Sequence, residues 1–117
     1  MDALDEVKTE LRSFVAERQW QTFHDPKNLA MLLASEVGEL MSEYRWVTNE
    51  NADAHSQQPA PRSRIIEEIG DVGIALVMLC DRLNVDLVAA IRNKMARNAK
   101  NYPVEASRGR AERPGKE

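Results

Sequence analysis

The sequence predicts an all-α protein, a four-helix bundle without a β-sheet. Two patterns carry this. Apolar residues recur at helical spacing along most of the chain, and nowhere do apolar and polar residues alternate as in a half-buried strand. Aromatic residues are only 5% of a chain that is 43% hydrophobic, so the core must be aliphatic, which suits helix packed on helix. Four helical segments with short links and one longer loop complete the bundle.

The first helix lies within residues 3–21, where Leu4, Val7, Leu11, Phe14 and Val15 form one apolar stripe and charges fill the other face; it ends near Trp20. Thr22 to Pro26 is a break. Asp25 reads as an N-cap and Pro26 as the first helical residue, where a missing N–H costs nothing. The second helix runs from Pro26 to about Val47. It is central, because Leu29 to Leu40 is apolar on more than one face. Thr48 to Ala60, rich in Asn, Asp, Ser, Gln and Pro, reads as a surface loop. The third helix starts near Pro61 or Arg62 and reaches Leu83. Asp86 caps a fourth, from Leu87 to about Asn101, which Tyr102-Pro103 ends because the residue before proline is pushed out of helical geometry. Residues 1–103 read as one helical domain and 104–117 as a basic, flexible, extended tail.

At 117 residues the chain has the length of one domain. A net charge of −3 gives no overall basic field for nucleic acid, although eight Lys or Arg residues fall between Arg92 and Lys116. Cys80, the single cysteine, has no intrachain partner, which fits a reducing compartment. The first residues lack the basic-then-apolar pattern of a signal peptide. The longest apolar stretch, Ile74 to Cys80, is too short to span a bilayer. The expectation is a cytoplasmic protein with neither nucleic acid nor membrane as partner.

Two acidic stretches carry the chemistry. Glu36 and Glu39 lie three residues apart on the second helix, and Glu68 and Asp71 three apart on the third, so each pair shares a helix face. Charged faces are usually just solvated, but three features shift the balance. The acids sit beside the apolar runs Leu29 to Ala34 and Val72 to Val77. No Lys or Arg lies between Asn28 and Tyr44 to pair with Glu36 or Glu39 within the helix. Gly38, Gly70 and Gly73 stand mid-helix at a cost of about 1 kcal/mol each, which makes sense if a backbone or a ligand comes close. Two helices facing each other with these pairs would form a pocket of carboxylate oxygens suited to a hard divalent cation, Mg²⁺ above all with Mn²⁺ as a substitute. Mg²⁺ held jointly by carboxylates and substrate phosphates points to phosphate-ester or phosphoanhydride chemistry. A di-iron centre would need Glu-x-x-His on two helices, and neither His24 nor His55 completes that spacing.

Lys94, Asn98 and Tyr102 follow at i, i+4 and i+8 on the fourth helix and its end, a stripe able to meet a phosphate, a sugar or a water. Trp20, Phe23, His24 and Trp46 flank the first break and the acidic helix, where tryptophan faces could sandwich a base or simply pack. Spacing alone leaves both readings open.

The run from Arg18 through Trp20, His24 and Asn28 to Leu29, followed by Glu36-Val37-Gly38-Glu39-Leu40 and Tyr44-Arg45-Trp46, resembles the MazG-like all-α nucleoside triphosphate pyrophosphohydrolases, and among them the dCTP pyrophosphatase branch. Glu68-Ile69-Gly70-Asp71-Val72 matches the second acidic motif. Lys94-Met95, Asn98, Tyr102-Pro103-Val104 and Ser107-Arg108-Gly109 match the C-terminal signature. The resemblance implies Mg²⁺-dependent cleavage of a (deoxy)nucleoside triphosphate, dCTP or a related pyrimidine, to the monophosphate and pyrophosphate, in a homodimer or homotetramer with shared active sites. By position it implies that Glu36, Glu39, Glu68 and Asp71 hold metal. It places Trp20, His24, Asn28 and Trp46 at the nucleoside, and Lys94, Asn98 and Tyr102 at phosphates and sugar. Glu39 is the candidate water activator, with Glu36 and Lys94 as its catalytic partners. Where that branch carries a tyrosine four residues after the final acid, this chain has Ala75, which is expected to leave room in the pocket. The reading from another class is a helical bundle that binds a nucleotide or a protein partner without turnover.

Overall fold

The computed structural model describes residues 2–112. Its helices are α1 (Ala3–Glu17), α2 (Pro26–Ser42), α3 (Ala52–Gln57), α4 (Pro59–Leu83), α5 (Leu87–Asn101) and α6 (Val104–Ser107), with short 3₁₀ turns at Gln21–Phe23 and Asn49–Asn51. The fold is all-α, with no strand among the described residues. The chain separates after Asn84 into two compact units, Met1–Asn84 and Val85–Glu117.

In the first unit, Asp2 caps α1 by accepting from the Asp5 amide at 2.9 Å. The helix stops at Glu17, short of the expected end, because Gln19 turns left-handed with φ 56°. The Trp20 amide then reaches back to the Val15 carbonyl and the Gln19 amide to that of Ala16, the double reversal that closes many helices. Asp25 caps α2 through the Asn28 amide at 2.9 Å, with Pro26 in the first turn, as expected. The last helical turn of α2 tightens, with Glu43, Tyr44 and Arg45 each donating to the carbonyl three residues back, so the helix closes at Ser42 and not at Val47.

The stretch expected to be a loop is ordered instead. α3 is held against the end of α2 by side chains: Tyr44 Oη and Ser56 Oγ lie 2.6 Å apart, His55 Nε2 is 3.1 Å from the Glu43 carbonyl, and the Tyr44 and His55 rings meet edge to face at 5.8 Å. Polar composition suggested exposure, but these polar groups bond to one another. α4 therefore starts earlier, at Pro59, and its C-cap Asn84 is left-handed with φ 57°.

α2 and α4 are the central antiparallel pair: Leu29 shares a cavity wall with Val77, Glu36 approaches Glu68 and Asp71, and Glu43 bonds Arg64. The core they close is aliphatic, made of Val15, Leu29, Ile65, Ala75, Val77 and Cys80. Ala75 is fully buried on α4. A Cβ added to Gly38, Gly70 or Gly73 would meet nothing within 4 Å, so no neighbouring backbone of this chain accounts for these glycines.

In the second unit, Asp86 caps α5 by accepting from the Ala89 amide at 2.9 Å, and Tyr102 ends it with its amide on the Asn98 carbonyl at 2.7 Å. Val104–Ser107 forms one helical turn where the sequence suggested extended chain. Residues 113–117 of the expected tail lie outside the described residues. Among the described residues, no helix is long and apolar enough to cross a membrane.

Candidate metal centre and adjoining cavity

The antiparallel register of α2 and α4 follows from their apolar faces, and it sets the two acidic motifs opposite each other. One carboxylate oxygen from each of Glu36, Glu68 and Asp71 lies within 4.8 Å of the other two. Glu36 and Glu68 are half-buried and Asp71 is exposed. Glu39 does not join this set; it stands exposed one turn further along α2. Three of the four expected ligands are thus brought together, and the fourth stands beside them.

The arrangement has an electrostatic cost. The Glu68 carboxyl is held above its ordinary pKa, first by partial loss of water and then by the charges of Asp71, Glu39, Glu36 and Glu43. Glu43 is not a free acid, since Arg64 of α4 donates to both its oxygens at 2.8 and 3.2 Å. The cation missing between Asn28 and Tyr44 is supplied from α4 for Glu43, while Glu36, Glu68 and Asp71 make no ion pair with Lys or Arg among the described residues. An oxygen-only donor set without a neutralising side chain fits a hard divalent cation.

A pH dependence follows. Because the folded Glu68 carboxyl binds its proton more tightly than the unfolded one, its favourable contribution is complete below the ordinary Glu value of about 4.3 and is lost as pH rises through the raised folded value. Asp81 has the opposite sign: Arg12 holds it below the usual carboxylate range, so its contribution is present above about 3.9 and is lost only at lower pH. In chelator, the melting temperature will therefore fall as pH rises across the Glu68 window. Glu68→Gln will flatten that fall, and so will Mg²⁺. An unchanged slope in Glu68→Gln would remove Glu68 as its source.

About two turns from the carboxylates, towards the start of α2 and the end of α4, lies a cavity of about 370 Å³. Leu11, Val15, Leu29 and Val77 give it apolar walls, and its polar lining comes from Lys8, Arg12, Gln21, His24, Asp81 and Arg82. That volume lies near the lower end of small-molecule sites. His24 reaches the cavity because the 3₁₀ turn at Gln21–Phe23 carries it over the start of α2. Trp20 is half-exposed and meets Phe14 edge to face at 5.9 Å, with the Arg18 guanidinium 3.7 Å from the Phe14 ring centre. The Asn28 side-chain amide donates to the Phe23 carbonyl at 3.1 Å, fastening the turn to α2. Trp46 is 89% exposed and borders a separate shallow hollow with Asn51, His55 and Gln58. The expected nucleoside residues are thus divided between two places, with His24 in the cavity wall and Trp46 away from it. Lys94, Asn98 and Tyr102 belong to the second unit, on α5 and at its C-cap.

Arg12 and Asp81 were not singled out by the sequence reading. They are 69 residues apart and pair only because α1 packs on α4. The one local signal was an acid, Asp81, directly after the apolar run Ile74 to Cys80.

A family model described as MazG-like matches residues 31–116, both acidic motifs included. The chain belongs to the MazG-like family. It is 41% identical over 108 residues to dCTP pyrophosphatase 1 of Rattus norvegicus, an alignment covering 92% of this chain and 64% of that one. To the Homo sapiens protein of the same name it is 38% identical over 105 residues, covering 90% and 62%. The chain thus spans slightly less than two thirds of the curated relatives it matches. Among solved structures it is similar to a pyrophosphatase from Archaeoglobus fulgidus, with a TM-score of 0.82 and 32% identity, covering 88% of this chain and 94% of that one.

Proposed function

We propose that this MazG-like chain hydrolyses a deoxynucleoside triphosphate, dCTP or a related pyrimidine nucleotide, to the monophosphate and pyrophosphate with Mg²⁺. The observation that carries this is the three-carboxylate convergence of Glu36, Glu68 and Asp71, next to a cavity of small-molecule size. The names of its curated relatives supply the substrate class.

Glu36, Glu68 and Asp71 would hold the cation, with Glu39 completing the set or taking a proton. When bound, Mg²⁺ offsets charge on the phosphate oxygens and lowers the pKa of a water. Glu39 is exposed, lies outside the three converging oxygens and shares the α2 face of Glu36, so it can accept the proton of the water that cleaves the bond between the α and β phosphates. The apolar cavity would take the base and exclude water from it, with His24 at its wall. Leu29, in that wall, lies seven residues and so about 10 Å along α2 from Glu36, a span comparable with that from a nucleobase to its phosphates. The family resemblance assigns Lys94, Asn98 and Tyr102 to phosphates and sugar, with Lys94 adding charge stabilisation.

We also propose a homodimer or homotetramer. Met31, Ile66, Ile69 and Ile74 on the two acidic helices are 42–61% exposed, an apolar surface of the kind a second copy covers. The open space around Gly38, Gly70 and Gly73 is available to such a copy or to substrate. The single cysteine, Cys80, is buried as a free thiol, in keeping with a reducing cytoplasm.

The test is a screen of dCTP, 5-methyl-dCTP, dUTP, dTTP, dATP and dGTP with Mg²⁺, with products identified as monophosphate and pyrophosphate. Binding without turnover of any of them would replace this reading with that of a non-catalytic nucleotide-binding bundle. Trp46 gives a separate check. Being almost fully exposed, it contributes little to the core, so Trp46→Ala will leave stability within about 0.5 kcal/mol. If it holds the nucleotide in the assembled enzyme, the same change will raise KM about tenfold or more. An unchanged KM would remove Trp46 from the site.

A further inference from the structure

Arg12 and Asp81 form a bidentate pair in the wall of the 370 Å³ cavity, Nε donating to Asp81 Oδ2 at 2.8 Å and Nη2 to Asp81 Oδ1. The side chains are 61% and 25% exposed, respectively. A guanidinium carries five N–H donors in a rigid planar fork. Asp81 engages one edge of that fork. The end edge, with one N–H on each of Nη1 and Nη2, meets no acceptor among the described residues. Two parallel donors held in a fixed plane match a partner with two adjacent acceptors, as when arginine reads the O6/N7 edge of guanine. Lys8 and Arg82 also line the cavity, but Lys8 is a point charge without a fork. Arg82 has no hydrogen bond among the described residues to fix its plane.

We propose that the end edge of Arg12 selects the base of the substrate, accepting cytosine and rejecting uracil, with Asp81 as the positioning residue that fixes the guanidinium. This rests on the reading above that the base occupies this cavity. Cytosine presents O2 and N3 as neighbouring acceptors. Uracil carries a hydrogen on N3, which would face an arginine N–H and leave two donors without a partner. Asp81 also neutralises Arg12, so the pair reads the donor and acceptor pattern of the base and not its charge. A bidentate pair with one edge of a base discriminates against the wrong base by about 1–3 kcal/mol.

The test compares kcat/KM for dCTP and dUTP in the wild type, in Arg12→Lys, which keeps charge but loses the fork, and in the double variant R12M/D81L, which replaces the pair with apolar groups and leaves no lone charge. The wild type will favour dCTP by about tenfold or more. Both variants will bring the ratio to within about threefold, through the KM for dCTP, while a merely structural strut would leave the ratio unmoved. Should the double variant fail to fold, Arg12→Lys alone decides. A ratio within twofold of wild type in the folded variants, or no wild-type preference, overturns the proposal. Leu11→Phe, which narrows the cavity from α1, separates the two levels. If it raises KM for both nucleotides while the Arg12 variants leave the ratio unchanged, the base lies in the cavity and Arg12 does not select it. If it changes KM for neither, the base lies elsewhere and the selection by Arg12 falls with it.

Discussion

Glu36→Gln, Glu68→Gln and Asp71→Asn will each lower kcat/KM by about a thousandfold or more, a loss of roughly 4 kcal/mol of transition-state stabilisation. The expectation follows from the convergence of these three oxygens within 4.8 Å and from the absence of a Lys or Arg partner that could take over. None of the three is a core residue, and none makes a hydrogen bond that holds the helices together among the described residues. The helical fold will therefore survive, with unchanged far-ultraviolet circular dichroism. Without metal the variants will be at least as stable as the wild type, because each substitution removes one member of a repelling group and relieves the raised Glu68 carboxyl. With Mg²⁺ the order reverses. The wild type gains about 2.7 kcal/mol at a metal concentration a hundred times its Kd, and the variants gain far less. Glu39→Gln separates ligand from base: it will keep much of the Mg²⁺-dependent stabilisation while losing turnover, since Glu39 stands outside the three converging oxygens. Wild-type turnover by the Glu36, Glu68 and Asp71 variants would sink the metal-centre reading.

Why the acidic centre could be read from sequence and the cavity could not is a matter of range. Glu36 with Glu39, and Glu68 with Asp71, are local pairs, and helical periodicity alone puts each on one face. Their meeting needs only that the two most apolar helices pack antiparallel, which short bundles do. Asp25, Pro26 and Asp86 marked helix starts correctly because capping depends on immediate neighbours. The misses were of two kinds. α3 formed where polar composition suggested a loop, because Tyr44, Ser56, His55 and the Glu43 carbonyl satisfy each other across 12 residues. The Arg12–Asp81 pair joins residues 69 apart, and nothing in either one's neighbourhood names the other.

Leu29→Ala will cost about 3 kcal/mol of stability, the largest single-site loss expected in the first unit. Leu29 is the largest fully buried side chain among the described residues, 1% exposed, and it sits one turn into α2 in a wall shared with Leu11 and Val15 of α1 and Val77 of α4. Its removal forfeits transfer free energy and leaves a void that the short, capped first turn, fixed by Asp25 and Pro26, cannot collapse to fill. Part of its surface already borders the 370 Å³ cavity, which places the loss towards the lower end of the Leu→Ala range. For a domain of this size the melting temperature will drop by roughly 10–15 °C. Met41→Ala, on the same helix but 67% exposed, is the control and will change stability by less than about 0.5 kcal/mol in the isolated chain. The comparison also bears on assembly. Where a second copy covers the exposed face of α2, Met41→Ala will lower the melting temperature in a way that depends on protein concentration, while the loss from Leu29→Ala, being internal to one chain, will not. A Leu29→Ala loss below about 1 kcal/mol would mean that the α1, α2 and α4 faces do not close on this residue.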